Sequence, residues 1–311
     1  MKAIVLQAPG GTENLALLEV DRPNITSGEV LIQAKAISIN PVDTKTRNGK
    51  GIYGRIKEES PLILGWDVSG TVVQSKDPKF QIGDEVFGMV NFPGHGRAYA
   101  QYVAAPASQL ALKPQNITHE EAAATTLVAL TAWQALVSNA KVQKGQKVLI
   151  HAASGGVGHI AVQIAKHLGA TVVGTSSAKN RDFVLGLGAD GHIDHNGYDW
   201  GAHPREFDFV LDTIGGENID RSLEVTKEGG TIISIPTGLN EEVTARAAGK
   251  GVKGYFILVE SNGGDMEQIA SFLEQGVLRP HIFKTYGFDQ VQEAHQQQET
   301  GRTVGKLILT P

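Results

Sequence analysis

The sequence contains no cysteine among its 311 residues. This absence excludes disulfide bonds, thiol catalysis and metal sites built from thiolates. Charges of both signs are mixed along the chain, with a net charge of −5 and no basic block. Uninterrupted apolar runs stay below the ~18 residues of a membrane helix. We therefore expect a protein that binds neither nucleic acid nor a membrane.

The length and the N-terminus set the broad class of the protein. A chain of this length is expected to hold about two domains. Its 41% hydrophobic content and 37 glycines fit an α/β protein with many tight turns. The segment 1–6 is strand-like and enters the fold directly, which indicates no signal peptide. We expect an intracellular protein and assign it to the cytoplasm.

The most informative stretch runs from residue 147 to residue 169. Residues 147–152 predict a short buried strand, and residues 157–168 predict a helix with its apolar residues on one face, capped by Gly169. Between them lies Ala153-Ser-Gly-Gly-Val-Gly158, a dinucleotide-binding pattern with alanine in the first glycine position. Small residues here let a pyrophosphate approach the helix N-terminus, where N–H groups and the dipole favour an anion. A predicted strand at 171–176 completes the context that the motif requires.

The rest of the chain falls into two patterns. Residues 1–112 are rich in predicted strands and lack regular βαβ alternation, so we expect an antiparallel or barrel-like domain there. From Thr118, which forms a capping-box signature with Glu121, helices and strands alternate. This alternation predicts a parallel sheet covered by helices.

Several motifs occur together with the glycine loop. They are Asn40-Pro-Val-Asp-Thr-Lys-Thr-Arg-Asn-Gly49, Leu64-Gly-Trp-Asp-Val-Ser-Gly70, Gln81-Ile-Gly-Asp-Glu-Val86, Leu130-Thr-Ala-Trp133 and Val304-Gly-Lys-Leu-Ile308. In this combination the chain resembles the medium-chain dehydrogenase/reductase superfamily, in its zinc-free quinone oxidoreductase (zeta-crystallin-like) branch. The resemblance covers essentially the whole chain.

The resemblance implies the architecture. It implies an α/β protein with a GroES-like, β-rich catalytic domain at residues 1–117, completed by residues 260–311. A Rossmann domain with a doubly wound parallel sheet, which binds NADP, then occupies residues 118–259. The active site of such proteins lies in the cleft, and many of them are homodimers, so we expect a homodimer.

The zinc-dependent relatives differ from this chain at their ligands. Trp66 follows Gly65 at the place of their catalytic histidine, and Asn40 lies in the segment that would carry the first cysteine. Without a thiolate, a catalytic zinc of that type is not expected. His192 and His195 are close in sequence but lack a plausible further ligand nearby. We predict no metal.

The end of the strand at 171–176 bears on the choice of cofactor. An NAD-binding domain usually has a carboxylate there, on the ribose 2′-hydroxyl. Here Ser176, Ser177, Lys179 and Arg181 follow instead, which suits the 2′-phosphate of NADPH; the alternative is a capping serine with solvated cations. His195 stands where many relatives carry a tyrosine near this phosphate. The predicted cofactor-binding residues are Thr131, Ser154, Gly155, Gly156, Val157, Gly158, Ser176, Ser177, Lys179, His195 and Lys306.

The resemblance assigns the active-site loop to the segment that begins at Asn40. Asn40, Asp43 and Lys45 are the predicted catalytic residues. The alternative is that Asn40 and Asp43 fix the loop by capping backbone groups and that Lys45 is solvated. Asp67 is expected to brace the same loop. The glycine-rich segment 93–99, with His95 and Tyr99, is a further candidate for the border of the substrate site.

These assignments lead to one function and two rivals. The chain is interpreted as an NADPH-dependent, zinc-free oxidoreductase that passes hydride to a quinone or an α,β-unsaturated carbonyl. Without a metal, the developing enolate needs hydrogen-bond donors, for which Asn40, Lys45 and backbone N–H groups are the candidates. The first rival is an NADPH-binding sensor or structural protein with little turnover. The second, a zinc alcohol dehydrogenase, is contradicted by the missing ligands.

Overall fold

The computed structural model describes residues 1–236, 238–240 and 242–311. These residues form two compact units: the first consists of Met1–Leu130 and Glu260–Pro311, and the second of Thr131–Val259. The division falls inside a helix, His119–Trp133, whose start is the domain boundary predicted from the sequence. In the part of the chain that the structure describes, no helix is both long enough and apolar enough to span a bilayer.

The secondary structure follows the chain as two series of labels. The strands are β1 (Lys2–Leu6), β2 (Leu15–Glu19), β3 (Glu29–Ile39), β4 (Asp67–Ser75), β5 (Glu85–Met89), β6 (Tyr102–Pro106), β7 (Ala111–Leu112), β8 (Lys147–Ile150), β9 (Thr171–Ser176), β10 (Gly191–Asp194), β11 (Phe207–Asp212), β12 (Thr226–Ser234), β13 (Lys253–Phe256), β14 (Ile282–Gly287) and β15 (Lys306–Thr310). The α-helices are α1 (Pro41–Arg47), α2 (Tyr53–Ile56), α3 (His119–Trp133), α4 (Gly156–His167), α5 (Arg181–Gly186), α6 (Asn218–Val225), α7 (Val243–Ala248), α8 (Gly263–Glu274) and α9 (Val291–Glu299).

The first unit is built on a seven-stranded sheet in the order β14-β15-β3-β4-β5-β7, with β6 also pairing β3. β14 and β15 are parallel, and the other pairs are antiparallel. The mainly antiparallel, β-rich unit predicted from the sequence is thus confirmed. The last strand of the chain, β15, pairs with β3, so the C-terminal tail is part of this unit.

The register of β3 brings three chain segments together at one end of three neighbouring strands. β3 runs antiparallel to both β4 and β15, with Ile39 opposite Leu307 and Ala36 opposite Ser69. The end of β3 therefore lies beside the first residues of its two neighbours. Asn40 follows β3, Asp67 begins β4 and Lys306 begins β15. Three polar residues that are distant in sequence are placed together by strand pairing alone.

The second unit contains a six-stranded sheet in the order β10-β9-β8-β11-β12-β13, with every neighbouring pair parallel. Numbered within the unit, this order is 3-2-1-4-5-6, the order of the doubly wound nucleotide-binding fold. The predicted parallel sheet is confirmed. One core cluster joins strand and helix residues on one side: Leu149, Trp200, Phe207, Val210, Ile219, Leu223, Val225, Ile232, Val243, Ala247 and Val252.

Local sequence signals set the helix ends in both units. The capping box of α3 is present, because Thr118 N–H donates to Glu121 Oε2 (2.8 Å) and Glu121 N–H donates to Thr118 Oγ1 (3.2 Å). The helix predicted at 157–168 is observed as α4. Gly169 ends it with φ +81°, and its N–H donates to the carbonyl of Lys166 (2.9 Å). A residue with a side chain rarely adopts this conformation, which is why glycine serves as the cap.

Candidate active site

The glycine loop of the second unit is shaped by a close approach between helix and strand. After β8, Ala152 turns the chain with φ +46°, and its carbonyl accepts a hydrogen bond from Gly155 N–H (2.8 Å). A Cβ atom at Gly158 would lie 2.2 Å from the Ala152 oxygen and 2.7 Å from Ala153 Cα. Glycine at 158 therefore allows α4 to begin directly against the end of β8, the geometry that a dinucleotide pyrophosphate requires.

The N-terminus of α4 supplies the donors for an anion. Gly156 and Val157 open the helix after Gly155, and all three residues are half-buried. The first N–H groups of a helix have no intrahelical acceptor, so they are available to phosphate oxygens. Ser154 is buried, and its Oγ accepts a hydrogen bond from Asn180 Nδ2 (3.1 Å), which ties the loop to the segment after β9.

The segment after β9 places further predicted residues at the same carboxyl edge of the sheet. Ser176 is buried at the end of the strand, Ser177 is half-buried, and Lys179 and His195 are exposed. The backbone N–H of His195 donates to the Ser176 carbonyl (3.2 Å). Parallel strands align their carboxyl ends, so these residues and the glycine loop lie at the same end of the sheet. Elsewhere, Thr131 is buried in α3.

One neighbour of Ser176 was not assigned to the cofactor from the sequence. His192 lies on β10, and its Nε2 is 2.7 Å from Ser176 Oγ. The sequence shows His192 and His195 as a close pair, but it does not show that β10 pairs with β9. The alternation of β-strand faces, had β10 been predicted, would have pointed to this contact.

The first unit contains a buried polar cluster formed by Asn40, Asp43, Asp67 and Lys306. Asn40 Nδ2 donates to Asp67 Oδ2 (2.8 Å), and Asn40 N–H donates to Asp43 Oδ2 (2.7 Å). Lys306 Nζ donates to Asn40 Oδ1 and to the carbonyl of Ile39 (2.7 Å). Asn40 caps α1, so the cluster joins the start of this helix to β4 and β15.

Burial shifts the protonation of the cluster. It raises the pKa of Asp43 from 3.8 to about 8, and nearby Asp67 adds to the rise. Burial lowers the pKa of Lys306 from 10.5 to about 8, against the attraction of Asp67 and Asp43. Burial also raises the pKa of Asp67, although Lys306 opposes that shift. The cluster therefore avoids carrying two unpaired carboxylates at neutral pH.

This geometry favours supporting roles for Asn40 and Asp43. Both atoms of the Asn40 amide are used inside the cluster, and Asp43 accepts from the backbone that begins α1. Asp67 braces the loop, as expected. Lys45, one turn further along α1, is half-buried. The direct catalytic roles of these residues, and the contact of Lys306 with cofactor, stay predictions.

The segment 93–99 is held by buried contacts. Trp66 Nε1 donates to the carbonyl of Gly94 (2.7 Å), and the Trp66 ring packs edge-on against Phe92. Tyr99 is fully buried, with its hydroxyl 3.1 Å from His295 Nε2. The proposed place of Tyr99 at the substrate border is therefore wrong, because its side chain is part of the core of the first unit.

Replacing Asp43 with asparagine is expected to flatten the dependence of stability on pH. The folded-state pKa of about 8 lies above the ordinary 3.8, so the folded protein holds an extra proton between these values. Stability then falls as pH rises through this window, by up to about 1.4 kcal/mol per pH unit. The asparagine amide cannot ionise, but its oxygen still accepts from Asn40 N–H. Urea unfolding at pH 5 to 8 measures the slope, with exposed Asp182→Asn as control; equal slopes in both variants contradict the shift.

Comparison with known proteins places the chain in a family. Residues 26–115 match the model "Alcohol dehydrogenase GroES-like domain", and residues 187–309 match "Zinc-binding dehydrogenase". A 2-methylene-furan-3-one reductase of Solanum lycopersicum is 34% identical over 93% of this chain and 73% of its own length. The chloroplastic NADPH-dependent alkenal/one oxidoreductase of Arabidopsis thaliana is 32% identical over 100% of this chain and 80% of its own.

A solved structure is similar over the whole length. The quinone oxidoreductase from Coxiella burnetii is 35% identical, covers 100% of this chain and 99% of its own, and has a TM-score of 0.95. The chain belongs to the medium-chain dehydrogenase/reductase superfamily. It is an oxidoreductase of the kind represented by the quinone and enone oxidoreductases, with a nicotinamide cofactor.

Whether this chain ligates a metal is a separate point. The description of one matching family model includes zinc binding. Within residues 1–236, 238–240 and 242–311, no group of three or more histidines, aspartates or glutamates is placed to hold a metal ion. The sequence has no cysteine. Independence from zinc stays a prediction.

Proposed function

We propose that this enzyme transfers hydride from NADPH to a quinone or an α,β-unsaturated carbonyl without zinc. The choice of NADPH rests on the end of β9, where Ser176 is followed by residues 177–181 without a carboxylate. A carboxylate there would bind a ribose 2′-hydroxyl, whereas hydroxyls and cations suit a 2′-phosphate. The two curated relatives, which are named for reduction of enone-type substrates, support the substrate class.

The residues of the second unit fit the cofactor. Gly158 leaves open the cradle that a Cβ would fill, and the N-terminus of α4 offers N–H donors to the pyrophosphate. Ser177 and Lys179 supply a hydroxyl and a positive charge for the 2′-phosphate. The nicotinamide supplies the hydride when it is bound.

The first unit supplies polarising groups to the substrate. Reduction of an enone or quinone places negative charge on oxygen, and a donor that meets this charge lowers the barrier. The Lys45 ammonium takes this role in our proposal. The buried polar cluster holds the start of α1, and thereby the position of Lys45, through Asn40.

Lys179→Ala is expected to weaken NADPH binding about tenfold, or by about 1.4 kcal/mol, and to leave NADH binding nearly unchanged. Hydrogen bonds to charged groups contribute about 1.5–3 kcal/mol. Because Lys179 is exposed, its contribution is expected at or below the lower end of this range. Calorimetric titration with both cofactors measures the effect. Lys144→Ala is the control, since exposed Lys144 precedes β8 at the opposite edge of the sheet. Equal affinity of the unmutated enzyme for both cofactors contradicts the proposed preference.

Removal of metal is expected to leave folding and turnover intact. No thiolate is present to ligate zinc. Dialysis against a strong chelator, followed by metal analysis, circular dichroism and NADPH oxidation with a quinone, provides the measurement. Stoichiometric, tightly bound zinc whose removal abolishes turnover would show that the enzyme depends on zinc.

A homodimer is also part of the proposal. Strand β13 lies at the edge of the second sheet, and Phe256 on it is 54% exposed. An exposed edge strand offers unpaired backbone groups to a second copy. Sedimentation equilibrium measures the oligomeric state directly.

The cytoplasmic location stays a prediction, and the Arabidopsis relative is named as chloroplastic.

A further inference from the structure

His192 contacts the end of β9 from the neighbouring edge strand. Its Nε2 lies 2.7 Å from Ser176 Oγ, and Ser176 is buried. His195, the residue assigned to this region from the sequence, meets Ser176 through its backbone N–H. The imidazole in contact with the Ser176 hydroxyl is therefore that of His192.

The direction of this hydrogen bond depends on the proton of His192. A neutral ring with the proton on Nδ1 accepts at Nε2 the single O–H that Ser176 can donate. A protonated ring donates from Nε2 instead, so the Ser176 hydroxyl must accept it. The Ser176 O–H can then donate to another acceptor beside the strand end. In the free protein this acceptor is the Ser177 carbonyl, 3.2 Å from Ser176 Oγ. Protonation of His192 thus releases the Ser176 donor from the imidazole.

We propose that His192 is a positioning residue that couples a proton to recognition of the 2′-phosphate of NADPH through Ser176. This inference rests on the proposed function, because it concerns the same strand end. The phosphate is the acceptor that the freed serine proton meets. The imidazolium adds a positive charge at the same strand end. Recognition of the phosphate then depends on pH, and recognition of a ribose without it does not.

The charges around His192 determine the direction in which phosphate affinity changes with pH. Burial and then Arg181 lower the pKa of His192 in the free protein, His195 acts in the same direction, and Asp194 opposes them. A phosphate dianion nearby raises the pKa again, so binding takes up a proton. The gain in affinity is complete below the pKa of the free protein. It is lost as pH rises through the pKa of the complex.

The test uses 2′,5′-ADP and 5′-AMP as probes, because they differ by the 2′-phosphate. Calorimetric titration from pH 5.5 to 8 compares the unmutated enzyme with His192→Gln, which keeps a hydrogen-bonding group but cannot carry charge. His195→Gln tests the neighbouring histidine. His203→Gln, an exposed histidine stacked on Tyr198, is the control. Ionisation of the phosphate itself, with a pKa of about 6, is shared by all four proteins and cancels between them.

The preference of the unmutated enzyme for 2′,5′-ADP is expected to grow as pH falls, by up to about tenfold per pH unit relative to His192→Gln. His203→Gln keeps this dependence, and His195→Gln keeps its direction whatever that change does to the affinity itself. The NMR titration of the His192 ring moves to higher pH when 2′,5′-ADP is bound, a response that a purely structural histidine would not give. A dependence on pH that survives in His192→Gln, or disappears in His195→Gln, overturns the inference but leaves the NADPH preference standing. Equal binding of both probes at every pH overturns the inference and the proposed cofactor together.

Discussion

Replacing Lys306 with methionine is expected to lower the free energy of unfolding by about 3–5 kcal/mol. The ammonium is buried inside the first unit, where it donates to Asn40 Oδ1 and to the Ile39 carbonyl. Its charge also compensates the buried Asp67. Methionine matches the length of the side chain but removes the charge and the donors. A buried charge that loses its partner is among the most destabilising changes a core can undergo.

Urea unfolding followed by circular dichroism measures this loss at pH 7. Lys35→Met is the matched control, because Lys35 is exposed on β3 of the same sheet, and its change is expected to stay within about 0.5 kcal/mol. The double variant Lys306→Met/Asp67→Asn is expected to lose less than the sum of the two single variants, since the second change removes the uncompensated charge. Equal loss in Lys306→Met and Lys35→Met would show that the cluster contributes little to stability.

Lys45→Ala is expected to reduce turnover about 100-fold with the best enone or quinone, while NADPH affinity stays near that of the unmutated enzyme. A donor that meets charge only in the transition state affects turnover more than cofactor binding. Lys45→Arg keeps a positive donor and should recover part of the rate. Steady-state kinetics together with calorimetric NADPH titration separate the two quantities.

The control for this experiment is Lys50→Ala, at an exposed position shortly after α1. Asn40→Ala has a different expected signature, because the Asn40 amide bridges Asp67 and Lys306. It should lower stability and turnover together. Full turnover in Lys45→Ala would assign the donor to another group and leave Lys45 as a support of the loop.

The parts of the fold that were predicted from the sequence are those specified by neighbouring residues. The apolar face of α4, the left-handed cap at Gly169 and the reciprocal bonds of Thr118 and Glu121 each involve residues a few positions apart. The short strands β6 and β14 were not predicted. Their residues show no strong strand pattern, because the choice of side chains in these strands depends on packing against the neighbouring strands.

The site was predicted as a set of residues but not as a set of contacts. Asn40 and Lys306 are 266 positions apart, and the pairing of β3 with β15 brings them together. The sequence offers both the catalytic and the supporting interpretation of Asn40, and burial of its amide favours the second. The contact between His192 and Ser176 depends in the same way on the pairing of β10 with β9. Long-range strand register decides such contacts, and no local period encodes it.

The most direct test of the proposed function compares two reactions of the enzyme as purified, without a chelation step. NADPH oxidation is followed with a panel of quinones and α,β-unsaturated ketones, and NADP⁺ reduction is followed with simple primary and secondary alcohols. Alcohol oxidation needs an alkoxide that a metal makes accessible, whereas an activated double bond needs a weaker polariser. We expect turnover with at least one quinone or enone and almost none with the alcohols. Oxidation of simple alcohols that is faster than reduction of every quinone and enone tested would contradict the assigned reaction.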